Sequence, residues 1–345
     1  MSRFEAWLDV MPGETRGIVA RDGRFERLII HRDDDVPNHR LGARVAGRVT
    51  RSDMSLGGAF VDVGGPSPFA FLPLKRDHRL TEGASIEATV SVEPRGGKGA
   101  VVRLIGPAEG EPRLLAPGPD MKALLARHAP DAAPMEGVAA VEAARDAEEE
   151  ALADDAVFAE QGVDLAVERT RAMVAVDVDY MGARGRDPKR DRAQANLFAI
   201  EQAARLIRLK GWGGLVSIDL AGTGHDGDVL TKAARRAFTP DGDAVIGPVT
   251  RFGVLQLALP WTRTPVEERL NGAAGRRPTP VTQALDVVRR LNHAALADRA
   301  VPAFVARCAP EEAAIAAPLA ARLGPRTAVR ADPAVAPGRA EVEEA

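Results

Sequence analysis

Three aspartates stand out by their type and spacing. Asp177 and Asp179 lie in the apolar run from Met173 to Asp179, and Asp219 closes the run from Leu215 to Leu220. In a strand, residues two apart share a face, so Asp177 and Asp179 point the same way. Carboxylates that converge where a sheet meets solvent repel one another unless a cation joins them. A hard ion such as Mg²⁺, held by one or two carboxylates and waters, satisfies that arrangement, with Mn²⁺ as the alternative.

The elements around them must supply the convergence. Between the two runs lies a helical pattern from Pro188 to Lys210. Asp187 offers a cap, Pro188 a first helical residue and Gly211 a stop. Ala193, Leu197, Ile200, Ala204 and Ile207 recur at helical steps and predict its buried face. A strand–helix–strand unit of this length closes as a right-handed crossover with parallel strands. Both carboxylate-bearing ends then lie on one edge of the sheet, where sites in open α/β sheets gather. Arg184, Arg186, Lys189, Arg190 and Arg192 crowd the helix start, where cations oppose the helix dipole. A phosphate backbone would make them favourable; a solvated charged face is the other reading.

The net charge of −3 argues by itself against a nucleic-acid partner, but the charge is unevenly spread. Residues 142–160 hold eight acidic side chains against one basic, leaving the rest of the chain at +4. Residues 40–103 hold ten Lys or Arg against six Asp or Glu, a mild basic field. Cys308 is the one cysteine, which excludes an internal disulfide framework and any multi-cysteine zinc site. No apolar run reaches membrane-spanning length, and the first residues lack a signal-peptide pattern. A cytoplasmic protein without a membrane partner is expected.

From about Leu41 to Leu104, short apolar runs separated by glycine turns predict a small β-barrel. Phe60 alternates onto a face with Asp62, and Phe71 is a second candidate surface aromatic. Lys98 sits in the basic turn from Arg95 to Gly99. Aromatics and cations on one barrel face make a stacking platform for single-stranded nucleic acid. Core packing is the alternative for both phenylalanines.

Several ordered segments together resemble the ribonuclease E/G family. Gly47-Arg-Val-Thr-Arg51, Ala59-Phe-Val-Asp-Val-Gly64, Phe71-Leu-Pro-Leu-Lys75 and Arg95-Gly-Gly-Lys-Gly99 are similar to its S1-type OB-fold domain. Ala175-Val-Asp-Val-Asp179 resembles its first metal-binding strand. Ala195-Asn-Leu197, Glu201 to Ala204, Arg205 to Lys210 and Gly213 to Asp219 resemble the following helix and second metal strand. Arg251-Phe-Gly-Val-Leu255 resembles its Arg-Phe-Gly-Leu strand. The resemblance implies an N-terminal S1-type OB-fold barrel, a deoxyribonuclease I-like α/β core with a mixed sheet, and a small C-terminal α/β cap.

It further implies endonucleolytic cleavage of single-stranded RNA that leaves a 5′-phosphate. Asp177 and Asp219 would hold Mg²⁺, with Asp179 completing the catalytic set. Phe60, Phe71, Lys98, Arg184, Arg186, Lys189 and Arg251 would contact RNA. A catalytically inactive RNA-binding member of the same family is the alternative.

The sequence also departs from the family. Asp179 replaces an Asn, Arg171 stands where a Glu precedes the first Asp by six residues, and Gln256 replaces the Glu of the Arg-Phe-Gly strand. There is little room for the family's ribonuclease-H-like part or its 5′-end sensor. An oligomer is left open, but not one joined by the family's paired-cysteine zinc link.

The remaining segments are read from pattern. Residues 1–38 predict a β-hairpin turning at Asp22-Gly23; residues 39–105 are the barrel; residues 106–162 are a linker, with one short helix near Asp120 to His128, and a solvated acidic helix. Residues 163–270 are the metal-binding core. Residues 271–345 hold a helix over 281–297 and a β-α-β cap, with a frayed tail from Val335. Gly222 to Gly227 is formally a Gly-x-Gly-x-x-Gly, but Asp219 before it would face a dinucleotide's pyrophosphate, so a mobile loop is preferred.

Overall fold

The computed structural model describes residues 3–75, 79–182, 188–273 and 275–345. The chain forms two compact units. The first gathers most of the N-terminal half with residues 263–345, and the second gathers residues 148–262 with Phe25–Arg27.

In the first unit, β1 (Phe4–Met11), β2 (Glu14–Arg21) and β3 (Arg24–Arg32) form a three-stranded sheet, where the sequence predicts two strands. The turn between β2 and β3 falls at Asp22-Gly23, both at positive φ (53° and 75°), as a primed two-residue hairpin turn requires. The further turn is at Pro12-Gly13.

Next come β4 (Arg44–Asp53), β5 (Gly58–Asp62), β6 (Ala70–Pro73), β7 (Ser85–Val92) and β8 (Val101–Pro107). They pair in the order β5-β6-β8-β7-β4, and a β4–β5 pairing closes the ring. Alternate residues such as Val45, Ala59, Val61, Ala70, Leu72 and Val90 fill its interior.

The stretch read as a linker with one short helix carries that helix and also a strand. β9 (Arg113–Ala116) pairs with β4 at the rim of the ring. α1 (Met121–His128), capped by Asp120, packs Met121, Leu124 and Leu125 against Ala6, Leu8 and Val19 of the first sheet. α2 (Val138–Leu152) is the acidic helix, and it is not merely solvated: Ala140, Ala144, Ala147 and Ala151 bury one small-residue stripe.

The second unit is a six-stranded sheet with two helices on one face. Its strands are β10 (Asp155–Phe158), β11 (Val163–Arg169), β12 (Val174–Tyr180), β13 (Gly214–Asp219), β14 (Val245–Val249) and β15 (Val254–Leu259). The order is β10-β11-β12-β13-β15-β14. Only β12 and β13 are parallel neighbours, as the crossover through α3 (Pro188–Lys210) demands, so the sheet is mixed. α3 and α4 (Gly227–Ala237) share one core with Val176, Val178, Ile218 and Leu255.

The buried face of α3 differs from the pattern reading. Ala193 is exposed and Leu197 only half-buried, while Ala195, Ala199, Ala203 and Leu206 join Ile200, Ala204 and Ile207 inside. From Gln202 to Lys210 the helix is buried all round. That is tolerable because each polar head finds a partner. Arg205 donates to the Phe25 carbonyl (2.8 Å) and to Glu150 (2.7 Å). Arg208 makes two 2.8 Å bonds to Asp241 and pairs with Glu26. Lys210 donates to the carbonyls of Ala151 and Ala153.

The chain then returns to the first unit. α5 (Val266–Asn271) and α6 (Pro280–Ala297) are followed by β16 (Phe304–Cys308), α7 (Pro310–Ala320) and β17 (Thr327–Ala331), a parallel β-α-β unit. The tail read as frayed carries β18 (Glu341–Glu344), antiparallel to β16. Arg307 ties it down with bonds to Glu343 (2.8 Å) and Glu341 (2.5 Å). Cys308 is fully buried in this core. No helix among the described residues is long and apolar enough to cross a membrane.

Candidate active site

In β12, Val174, Val176 and Val178 enter the core while Ala175, Asp177 and Asp179 take the other face. In β13, Val216 and Ile218 enter the core and Asp219 takes the other face. The parallel register sets Asp177 directly beside Asp219, so their Cβ atoms stand roughly 5 Å apart. Across the antiparallel pairing with β11, Asp179 faces Asp164. Four carboxylates therefore occupy three adjacent strands on the face that α3 and α4 leave uncovered.

This crowding registers in Asp177. Its partial burial, and then the charges of Asp179, Asp219 and Asp164, push its carboxyl above the usual range, against a hydrogen bond from the Val178 backbone. Among the described residues no cationic side chain pairs with Asp177, Asp179 or Asp219. Like charges placed directly opposite are destabilising, so a cation at this edge would relieve repulsion. Among the described residues, no group of three His, Cys, Asp or Glu side chains forms a metal cage. An ion here would thus take Asp177, Asp219 and several waters. That donor set suits Mg²⁺, which keeps much of its hydration and commonly binds through one or two carboxylates.

The end of β13 is held by a residue that pattern reading did not single out for a role. Asn196, buried in α3, donates to the Ala221 carbonyl (3.1 Å) and accepts from the Ala221 N–H (2.9 Å). It fixes the backbone two residues past Asp219. A buried Asn on an otherwise apolar helix face was the available signal.

Arg251 lies in the turn joining β14 to β15. Val254 is opposite Asp219 and the Leu220 N–H bonds the Gly253 carbonyl (3.2 Å), so this turn borders the carboxylate edge. The Arg251 guanidinium stacks 4.6 Å from the Phe252 ring, and Phe252 is 74% exposed. Gln256 is on the carboxylate face, opposite Ser217. Arg171 is exposed in the turn that the Thr170 N–H to Met173 carbonyl bond closes before β12, at the opposite end of that strand from Asp179. Lys189 is exposed in the first turn of α3. Arg184 and Arg186 lie outside the described residues.

On the ring of strands, Phe60 and Phe71 are direct cross-strand partners, their centroids 5.5 Å apart in an edge-on arrangement. Both are half-buried on the outer face, while their neighbours Ala59, Val61, Ala70 and Leu72 point inside. Neither is a core side chain. Arg51, outside the residues singled out for RNA contact, stacks 4.5 Å from the Phe60 ring. Lys98 is exposed in the turn between β7 and β8, and β8 runs beside the strand carrying Phe71.

Residues 126–260 match the model of the Ribonuclease E/G family, which supports assigning the chain to that family. The match spans α2, the whole six-stranded sheet and both of its helices, and it supports a ribonuclease role with RNA as the substrate class. A search of curated proteins found no match.

Proposed function

We propose that the protein is a divalent-metal-dependent endoribonuclease acting on single-stranded RNA. The observation that carries the reading is the in-register placement of Asp177 and Asp219 on parallel neighbours, within the family-matched segment. On this reading the closed ring of β4 to β8 is an S1-type OB-fold and the six-stranded unit is deoxyribonuclease I-like.

Mg²⁺ or Mn²⁺ held by Asp177 and Asp219 would polarise the scissile phosphate and lower the pKa of a bound water. Asp179, on the same face, accepts a hydrogen bond from the attacking water and turns its lone pair toward phosphorus. Arg251 and Lys189 bind phosphate oxygens on either side of the bond that breaks. Phe60 and Phe71 stack bases, and Lys98 neutralises backbone charge.

A second reading is an RNA-binding protein without catalysis. The two-carboxylate rather than three-ligand arrangement, together with Gln256 in place of an acid on the carboxylate face, favours it. Cleavage of a labelled single-stranded RNA separates the two. The nuclease cuts with Mg²⁺, stops in EDTA, and is lost in Asp177→Asn and Asp219→Asn. A protein that binds this RNA, loses binding with Phe60→Ala and never cuts is the binder.

A further inference from the structure

A cavity of about 470 Å³ opens between the first turns of α3 and the loop after β13. Its size falls within the roughly 300–1,000 Å³ of small-ligand sites. One part of its wall is cationic, from Lys189 and Arg192; another is apolar, from Leu197, Val229 and Leu230. The Asp226 carboxylate also lines it but accepts from the Val229 N–H (3.1 Å) as the cap of α4. Among the described residues, Lys189 and Arg192 have no ion-pair partner.

Arg192 is set in place by its surroundings. A Cβ on Gly222 would lie 2.5 Å from Arg192 Nη1 and 2.6 Å from its Cδ, so a glycine at 222 lets the side chain lie along the loop. Gly222 also sits at positive φ (79°), and its carbonyl bonds His225 Nε2 at 2.9 Å. Asn196 clamps Ala221, tying this rim to Asp219 two residues before.

We infer that this cavity seats one nucleotide of the RNA strand adjacent to the scissile phosphate, an inference that rests on the nuclease reading above. The nucleotide's phosphate lies on Lys189 and Arg192, and its base lies against Leu197 and Val229. Paired cations beside an apolar wall match a nucleotide's two halves, and the loop that forms one wall follows directly on Asp219 at the end of β13.

The test is fluorescence anisotropy of a fluorescein-labelled single-stranded RNA decamer with the full chain in EDTA, where binding is read without cleavage. Arg192→Gln removes the charge. Val229→Trp, at a half-exposed position, fills the cavity without altering charge. Near-UV circular dichroism verifies that each variant is folded. Both are expected to bind roughly tenfold more weakly, a size typical of losing one stacked base or one phosphate contact. Arg192→Gln also flattens the salt dependence by about one unit of slope. If both bind within twofold of the parent while Phe60→Ala weakens binding, the nucleotide seat is overturned and the nuclease reading survives. If Arg192→Gln weakens binding but Val229→Trp does not, the charge acts at a distance and the seat is again overturned. If the parent itself does not bind the decamer, both readings fall together.

Discussion

Asp177 and Asp219 stand side by side in register on the two parallel strands of an otherwise antiparallel sheet. Each neutralising substitution, Asp177→Asn and Asp219→Asn, is expected to lower Mg²⁺-dependent RNA cleavage by about 10²–10³-fold or more, the scale seen when one group that stabilises transition-state charge is removed. Gel analysis of a labelled RNA reads the loss. Full activity in either variant would sink the assignment.

The same substitution has an opposite effect on stability. Asp177 is held above the ordinary carboxylate range by its burial and by the charges of Asp179, Asp219 and Asp164. Asp177→Asn therefore relieves repulsion and is expected to raise the melting temperature in EDTA by about 1–3 °C. A melting temperature that falls instead would show that the carboxylate has a structural partner.

On the outer face of the ring, the Phe60 and Phe71 rings meet edge-on beneath Arg51. Phe60→Ala is expected to weaken single-stranded RNA binding by about 1–3 kcal/mol, the cost of losing one base stack. Arg51→Ala should weaken it less, because its guanidinium is replaceable as a stacking partner by a base. Equilibrium titration compares the two; equal RNA affinity for Phe60→Ala and the parent would remove the ring from the interface.

Arg208 is buried between Glu26 and Asp241, with a further bond to the Ala237 carbonyl (2.8 Å). Arg208→Met would remove the buried guanidinium that Glu26 and Asp241 share, at a cost of about 3–5 kcal/mol. Urea unfolding measures it as a lower midpoint. A loss below about 1 kcal/mol would mean that other groups or water satisfy the two carboxylates.

His31 is buried, which together with nearby Arg40 lowers its pKa from 6.5 to about 4, against opposing pulls from Glu93 and Asp35. The unfolded chain therefore takes up this proton first as pH falls. Its contribution to stability is complete above the unfolded value and is lost between about pH 6.5 and pH 4. Glu14 adds to acid lability: burial raises its carboxyl, but Arg16, Arg289 and Arg32 outweigh burial and hold it well below the usual range. Its contribution is lost below the ordinary Glu range. Thermal melts from pH 8 to 4 should show the decline, and His31→Gln should flatten the part between pH 6.5 and 4.

The placement of the carboxylates was legible because it needs only local rules. Alternation in Val174 to Tyr180 puts Asp177 and Asp179 on one face, and the crossover rule makes β12 and β13 parallel. The helix stop at Gly211 and the turn at Asp22-Gly23 were legible for the same reason, since each is a demand for positive φ. The buried face of α3 was not. Periodicity assigns Arg205, Arg208 and Lys210 to solvent, whereas each is buried because a carboxylate or carbonyl far away in sequence meets it. The third strand of the N-terminal sheet was missed although a tight turn at Pro12-Gly13 joins it to its neighbour, whereas the strand at the C-terminal end was missed because it depends on pairing with the distant β16.

From its sequence alone, this protein's local elements follow: strands that alternate, helices that are capped and stopped, and an ordered set of motifs similar to one ribonuclease family. Those features depend on side chains only a few positions apart. What only the tertiary structure decided is which groups meet. It set Asp219 in register with Asp177, faced Asp164 with Asp179, stacked Arg51 on Phe60, and laid Arg192 along Gly222. Contacts between distant positions depend on strand register and on how each helix is rotated on the sheet. Both are set by the fit of the whole core, which no short window of sequence contains.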